Sequence, residues 1–374
     1  MDLVVLKFRQ ESLTSSTEDD QGKSAEYNIT YKAFCLLKNF NFINIMKKKL
    51  LFIAASCICF SFFAACSSDD VTINENQTSG TGAMILRTTN EGLTWSKTFV
   101  PGYDLITSII VMTPQIEKIS VLATEYGGRH NILRSNYYGE NCISTLTPTY
   151  ILGDLVSTHG YGKGIAVGSS SVVKTTDDGQ NWVYDHNEDF EWLTADFCDE
   201  MHGIILSARN GDSTAVTTNG GVAWMHRAPV SEIGLFDDII LLDTATVFAL
   251  GGNRRIYKST DFSVSWEPVE NPATSRLKCI GFFGDVGIIA GEGNVMLRST
   301  DRGLTWTTLD PGFSSANEVF LDASAYWAVG TNYISKSTDQ GLTWEIIYTK
   351  ADEYFYDMYF SKNEGYAVGQ RYVR

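Results

Sequence analysis

The chain has 374 residues, of which 44% are hydrophobic, and its formal net charge is −15. An acidic surplus of this size argues against nucleic acid as a partner, because proteins bind phosphate backbones through clustered Lys and Arg side chains. The same charge repels anionic lipid headgroups, so attachment to a membrane would depend on a lipid anchor.

The first 82 residues differ from the rest and are predicted to lie outside the folded domain. Residues 1–45 precede a second methionine, Met46, and show neither helix nor strand periodicity, so we expect a mis-assigned start. Residues 46–65 join three lysines to an apolar run and end in two alanines, which is the pattern of a signal peptide. At about 1.5 Å per residue, the run is short for a transmembrane helix.

A lipid anchor is predicted at Cys66, directly after the two alanines. The segment resembles a bacterial lipoprotein signal, which implies that Cys66 is diacylated and becomes the mature N-terminus. Residues 66–82 are rich in Ser, Asp, Asn, Thr and Gly and predict a flexible tether. We therefore expect the protein in the cell envelope, lipid-anchored to the outer membrane. Without residues 1–65, 21 basic and 38 acidic residues give a charge of −17.

A short turn recurs through residues 83–374 and predicts the fold. The six complete copies, here called boxes, begin with Ser or Thr and end with Trp at 88–95, 175–182, 217–224, 259–266, 299–306 and 337–344. A seventh, degenerate box at 135–142 keeps Ser135 and Gly139 but ends in Cys142. Copies spaced by about 40 residues indicate a stack of similar supersecondary units.

The predicted fold is an all-β, seven-bladed β-propeller of four-stranded antiparallel blades over residues 83–374. Apolar runs bounded by glycine, such as 164–168 and 365–369, are expected to be strands buried on both faces. The first box lacks two preceding strands and the last segment lacks a box, so N- and C-terminal strands are expected to close the ring. The alternative is an open ring, if residues 100–145 do not form a full blade.

The box residues are predicted to be structural. Ser, Thr, Asp and Asn side chains can hydrogen-bond the amides of a turn, glycine supplies a positive φ, and the indole ring packs into the blade. Asn replaces Asp in two boxes, which argues against a catalytic acid. The predicted structural residues are Asn90, Trp95, Asp177, Trp182, Asn219, Trp224, Asp261, Trp266, Asp301, Trp306, Asp339 and Trp344.

The residue directly before each box is basic in six of seven cases, and these residues are candidate partner-binding residues. They are Arg87, Arg134, Lys174, Lys258, Arg298 and Lys336, with Val216 at the remaining position. One interpretation is a ring of cations offered to an acidic peptide or an anionic glycan. The other is that each cation compensates the carboxylate of its own box or of a neighbouring blade. Tyr137 and Tyr138, inside the degenerate box, are two further candidates.

These motifs resemble the Asp-box (BNR) repeat family, carried by strings such as 336–344 (KSTDQGLTW) and 365–369 (GYAVG). Within it, the chain is most similar to the seven-bladed photosystem II assembly factors of the Ycf48/HCF136 type. The resemblance implies a non-enzymatic binding platform, or scaffold, for a protein partner, and we expect a monomer. The alternative is a carbohydrate-binding propeller or a sialidase-like glycoside hydrolase, which would need three arginines and a tyrosine converging in the central mouth.

No cofactor and no metal are predicted. The five histidines and the three cysteines of the folded part show none of the spacings of a metal site or a disulfide framework.

Overall fold

The computed structural model describes residues 74–75, 81–112, 118–148, 151–207, 214–227, 236–252 and 254–372, with backbone alone at 74–75, 170 and 185–191. The predicted N-terminal extension, the signal segment and Cys66 lie outside the described residues. Within the described part of the chain, no helix has the length and apolar character of a membrane span.

The described residues form 25 β-strands. They are β1 (Asn74–Glu75), β2 (Gly82–Thr88), β3 (Ser96–Phe99), β4 (Tyr103–Ile110), β5 (Ile119–Glu125), β6 (His130–Ser135), β7 (Ile143–Leu146), β8 (Leu152–Ser157), β9 (Gly164–Thr175), β10 (Val183–Phe197), β11 (Gly203–Ser207), β12 (Thr214–Thr217), β13 (Met225–His226), β14 (Phe236–Leu241), β15 (Val247–Gly251), β16 (Arg255–Ser259), β17 (Glu267–Val269), β18 (Leu277–Phe283), β19 (Val286–Gly291), β20 (Met296–Ser299), β21 (Thr307–Leu309), β22 (Ala316–Leu321), β23 (Tyr326–Ser337), β24 (Glu345–Ser361) and β25 (Glu364–Arg371).

The strands form five hydrogen-bonded sheets. Three have four strands, in the orders β4-β5-β6-β7, β14-β15-β16-β17 and β18-β19-β20-β21. A six-stranded sheet runs β13-β12-β11-β10-β9-β8, and a seven-stranded sheet runs β1-β3-β2-β25-β24-β23-β22. Apart from the parallel pair β1 and β3, these neighbours are antiparallel.

The prediction of seven blades is wrong, because six four-stranded blades are detected. The 25 separate strands are enough for six blades of four. The physical reason lies in four long strands. β9 and β23 run unbroken through segments that were predicted to be two strands each, and β10 and β24 run unbroken from the end of one box into the next unit.

Strands β2 and β25 join the two ends of the described domain. They pair antiparallel from Gly82 with Arg371 to Thr88 with Gly365. The seven-stranded sheet therefore contains strands from both ends of the sequence, which leaves neither β2 nor β25 as an open edge.

The glycine-bounded strands are buried on both faces, as predicted. All five residues of β11 and of β15 are buried, as are 164–168 and 365–369. A middle strand of each sheet is covered by the neighbouring sheet on either side, so its side chains enter apolar clusters whichever way they point.

Aromatic side chains fill the space where neighbouring units meet. The Trp327 and Phe360 rings stack with centroids 3.7 Å apart, and Trp95 meets Phe360 edge-on at 6.1 Å. Each such pair contributes about 0.5–1.5 kcal/mol beyond the burial of its area. This packing fixes the relative position of the boxes, from which the candidate site is built.

Candidate functional site

Box 299–306 shows the hydrogen bonds that hold each box turn. The Ser299 hydroxyl donates to Asp301 Oδ1 at 2.8 Å and accepts the Gly303 N–H at 2.8 Å. Asp301 then accepts the Thr305 N–H at 2.9 Å and the Thr305 hydroxyl at 2.5 Å. The bond from the Thr305 side chain lowers the pKa of Asp301 to about 2. Both carboxylate oxygens thus serve the turn.

The Asn boxes make the same turn without the charge. In box 88–95, Asn90 Oδ1 accepts the Thr94 N–H at 2.9 Å, as Asp301 does with Thr305. The remaining bond reverses, because Asn90 Nδ2 donates to the Thr94 hydroxyl at 2.9 Å. A threonine hydroxyl can donate or accept, so the turn tolerates either residue.

Four of the basic residues that precede a box donate a hydrogen bond to the next box along the chain. For the last box, the next box is the first one. Their contacts are Arg134 Nε to the Asp178 carbonyl (2.5 Å), Lys174 Nζ to the Gly221 carbonyl (3.0 Å), Arg298 Nε to the Gln340 carbonyl (2.8 Å) and Lys336 Nζ to the Glu91 carboxylate (3.0 Å). Among these contacts only that of Lys336 is with a carboxylate, and the other three are with backbone carbonyls, so both interpretations of the basic residues stay predictions.

Arg87 and Lys258 contact aromatic rings. The Arg87 guanidinium lies 3.7 Å from the centroid of the Tyr138 ring in the degenerate box, and its Nη2 donates to Glu364 Oε2 at 3.2 Å. Lys258 Nζ lies 5.3 Å from the Phe248 ring centroid. The six candidates are therefore spread over separate joints around the domain.

Several box tryptophans pack against the strand that leaves the preceding box. Trp95 meets Tyr348 of β24 with ring centroids 6.2 Å apart. Trp306 shares an apolar cluster with Val269 of β17. The indole therefore fills the joint between two neighbouring units.

The degenerate box keeps the turn. The Ser135 hydroxyl accepts the Tyr137 and Gly139 N–H groups at 3.2 and 3.1 Å. Tyr138 and Gly139 have φ of 52° and 85°, close to the 58° and 77° of Arg302 and Gly303. The degenerate box therefore keeps the backbone of the turn up to Gly139 and departs from the complete boxes at Asn141, which has a φ of 50°.

A cavity of about 470 Å³ lies at the degenerate box. It opens between this box and β3, the strand that leaves box 88–95, which is where the other boxes hold an indole ring against the preceding unit. Its wall includes Arg87, Phe99, Tyr103, Tyr137, Tyr138 and Cys142. Cys142 is half-buried, and its smaller side chain leaves the joint unfilled.

The cavity brings together three of the residues predicted from the sequence. Tyr137 is 58% exposed and meets Tyr138 edge-on with centroids 5.2 Å apart, and Arg87 covers the Tyr138 ring. Sequence reasoning missed Phe99 and Tyr103, which form the opposite wall. The exchange of Trp for Cys142 was the signal that could have located the cavity, since a missing core ring leaves space behind it.

A second cavity of about 470 Å³ is here called the channel, and the strands that contribute residues to its lining, here called the inner strands, are β4, β8, β10, β14, β18, β22 and β24. Five buried carboxyl groups lie along it, at Asp154, Asp196, Asp238, Glu318 and Asp357. Burial raises the pKa of all five, to about 8 for Asp238 and about 7 for Asp196 and Asp357.

These carboxyl groups tie inner strands to one another. The Ile280 N–H of β18 donates to Asp238 Oδ2 of β14 at 2.9 Å. The Ile109 N–H of β4 donates to Asp357 Oδ2 of β24 at 2.8 Å. Sequence reasoning missed this cluster, although acids recur two residues after a buried apolar residue on several inner strands.

Two solved structures share the fold of this chain. It is similar to "YCF48 from Cyanidioschyzon merolae", with a TM-score of 0.60 and 17% identity over 73% of this chain and 95% of that one. It is similar to "YCF48 bound to D1 peptide", with a TM-score of 0.60 and 17% identity over 74% and 96%. The predicted likeness to Ycf48-type propellers is thus confirmed for the fold.

A third structure is more distant. The GH74 enzyme of Niastella koreensis has a TM-score of 0.37 and 16% identity over 68% of this chain and 51% of that one, a likeness too weak to support an argument. No protein-family model and no curated protein matches the sequence.

The arrangement that a sialidase-like hydrolase needs is not seen in the described residues. The lining of the channel there includes Lys278 and no arginine. Arg276 instead pairs with Asp237, which leaves Asp238 to bind the Ile280 amide. No group of three or more His, Cys, Asp and Glu side chains within the described ranges is placed to hold a metal ion.

Proposed function

We propose that this protein is a binding platform for a protein partner, and that the partner docks at the cavity of the degenerate box. The main support is that Tyr137, Tyr138 and Arg87 lie together at the mouth of a cavity. This cavity lies at the degenerate box, which lacks the tryptophan of the other boxes. Tyr, Trp and Arg side chains are enriched among the few residues that carry most of the binding energy of protein interfaces.

The comparison with YCF48 supports the same proposal. A propeller of this fold has been solved with D1 peptide bound, so the scaffold is compatible with peptide recognition. At 17% identity the residues that recognise the partner must be argued from this chain alone. The cavity supplies them.

A cross-linking experiment tests the proposal. A photoreactive phenylalanine analogue replaces Tyr137 in cells, and adducts are identified by mass spectrometry. The control places the analogue at Leu304, the sixth residue of a complete box, which is 63% exposed. We expect a reproducible protein adduct at position 137 that is missing at position 304. The same adducts at both positions, or none at 137, would overturn the proposal.

We further propose that Cys66 carries a lipid that holds the platform at the outer membrane, on the support of the signal-like residues 46–65. The charge of −17 calculated without residues 1–65 makes direct adsorption to an anionic bilayer unfavourable. Cys66→Ala should therefore move the protein from the membrane fraction to the soluble fraction, as measured by immunoblotting. Retention of the variant in membranes would contradict lipidation at this residue.

A further inference from the structure

We infer that the cavity of the degenerate box receives a neutral aromatic side chain from the partner, with tryptophan the best fit. The inference rests on the proposed function and specifies the chemistry of its contact. It begins from the repeat itself, because six boxes of this chain show what occupies the corresponding joint.

The complete boxes define the shape that fits. In several of them an indole lies between the box turn and the strand leaving the preceding box, as Trp95 does against Tyr348. At the degenerate box the turn and the strand are both present, since Ser135 holds the turn and Phe99 of β3 is only 9% exposed. Only the indole ring is missing, and the cavity of about 470 Å³ lies where this ring would be.

A hydrogen-bond acceptor for an indole is also present. In box 337–344, Trp344 Nε1 donates to the Gly341 carbonyl at 3.2 Å, whereas the Nε1 atoms of the other five box tryptophans have no hydrogen-bond partner among the described residues. In the degenerate box the corresponding carbonyl belongs to Gly139, and it accepts the Cys142 thiol at 3.4 Å. A thiol is a weak donor, so an indole N–H can replace it with a gain in bond strength.

The charges at the cavity favour a neutral guest over an acidic one. Arg87 is paired with Glu364, and Lys97, which lines the cavity beside Phe99, is paired with the buried Glu353. A carboxylate entering here would have to displace an existing partner. An aromatic ring adds contacts with Phe99 and Tyr103 without that exchange.

N-acetyl-tryptophanamide is a direct probe of the inference. It is titrated into the purified protein while the backbone amide shifts of Phe99, Gly139 and Cys142 are followed by NMR. We expect saturable shifts at all three amides and at least tenfold weaker binding of N-acetyl-leucinamide and of N-acetyl-aspartamide. The absence of shifts, or equal binding of the three probes, would overturn the inference.

Filling the cavity from within should remove this binding. Cys142→Trp places an indole where the other boxes have one. If this variant does not fold, Cys142→Leu, which fills the cavity in part, is used instead. Cys142→Ala keeps the space and should retain probe binding. Leu304→Trp, which adds an indole at the exposed rim of a complete box, is the matched control and should also retain it. Undiminished probe binding by the folded Cys142→Trp or Cys142→Leu variant would contradict the inference.

Cross-linking from position 137 in the Cys142→Trp background separates the two proposals. Loss of the adduct seen with native Cys142 supports the inference. An adduct that persists in the Cys142→Trp background overturns the inference of an aromatic guest but not the proposed binding platform. The absence of an adduct in both backgrounds overturns the proposed binding platform.

Discussion

At the scale of single residues, the box is a turn whose side chains satisfy its own backbone. Ser299 accepts the hydrogen bond of the buried Gly303 amide, and Asp301 accepts that of the Thr305 amide. The fifth box residue must take a positive φ, 77° at Gly303, and lies against the preceding unit. Glycine is favoured there for two reasons: it adopts a positive φ without strain, and it has no Cβ to collide with the preceding unit.

Gly303→Ala should separate these two requirements when it is compared with Gly312→Ala. A Cβ at Gly303 would lie 2.5 Å from the Phe248 ring, whereas Gly312, with φ of 73°, has no atom within 4 Å of such a Cβ. Backbone strain alone costs about 1–2 kcal/mol, and overpacking adds about 1–3 kcal/mol. We expect the free energy of unfolding, from urea titration, to fall more in Gly303→Ala. Equal losses would show that packing against Phe248 contributes nothing.

At the scale of strands, the sequence predicted the position and burial of the elements better than their limits. The runs 164–168 and 365–369 are buried strands as expected, because a repeated apolar pattern reports the environment of each residue directly. Strand limits depend on whether the backbone stays extended between two units, as it does in β10 and β24, and the repeated apolar pattern does not specify this. The blade number was wrong for this reason.

The candidate site could be predicted only in part. Tyr137, Tyr138 and Arg87 were identified because they depart from, or accompany, a visible pattern. Phe99 and Tyr103 do not stand out in the sequence, because they belong to ordinary apolar runs. Their position in the wall of the cavity is visible only in the folded structure. The acids of the channel were missed because the inner strands converge only after the sheets are assembled around an axis.

At the scale of the whole molecule, the channel places carboxyl groups from several strands in one buried region. Coulombic repulsion among Asp154, Asp196 and Asp238 adds to burial in raising the pKa of Asp238. The folded domain therefore binds protons that the unfolded chain releases. The box carboxylates have the opposite tendency, since hydrogen bonds lower the pKa of Asp261 and Asp301 to about 2.

These shifts predict how stability depends on pH. An aspartate has a pKa of about 3.9 when unfolded, and in the fold Asp238 has about 8 and Asp357 about 7. Between about pH 4 and pH 8 the folded state binds more protons, so the free energy of unfolding should fall as the pH rises. As the pH falls from about 4 to about 2, the box aspartates lose their stabilising effect, because the unfolded chain takes up their protons first, which places the maximum near pH 4–5.

Urea titrations from pH 4.5 to pH 8.5 measure this slope. Asp238→Asn keeps an oxygen acceptor for the Ile280 N–H and cannot ionise, so it should flatten the slope relative to the native protein. A native free energy of unfolding that rises across this range would contradict the assignment of protonated carboxyl groups to the channel.

The pairing of β2 with β25 has a consequence for biogenesis. Arg87 and Glu364 touch across 277 residues, so the seven-stranded sheet cannot be completed until nearly the whole chain has been synthesised. Contacts of such long range fold slowly, and the uncovered faces of β2 and its neighbours remain open to aggregation in the meantime. The first strands of a nascent chain therefore stay without their final pairing partners until the last strand has been synthesised.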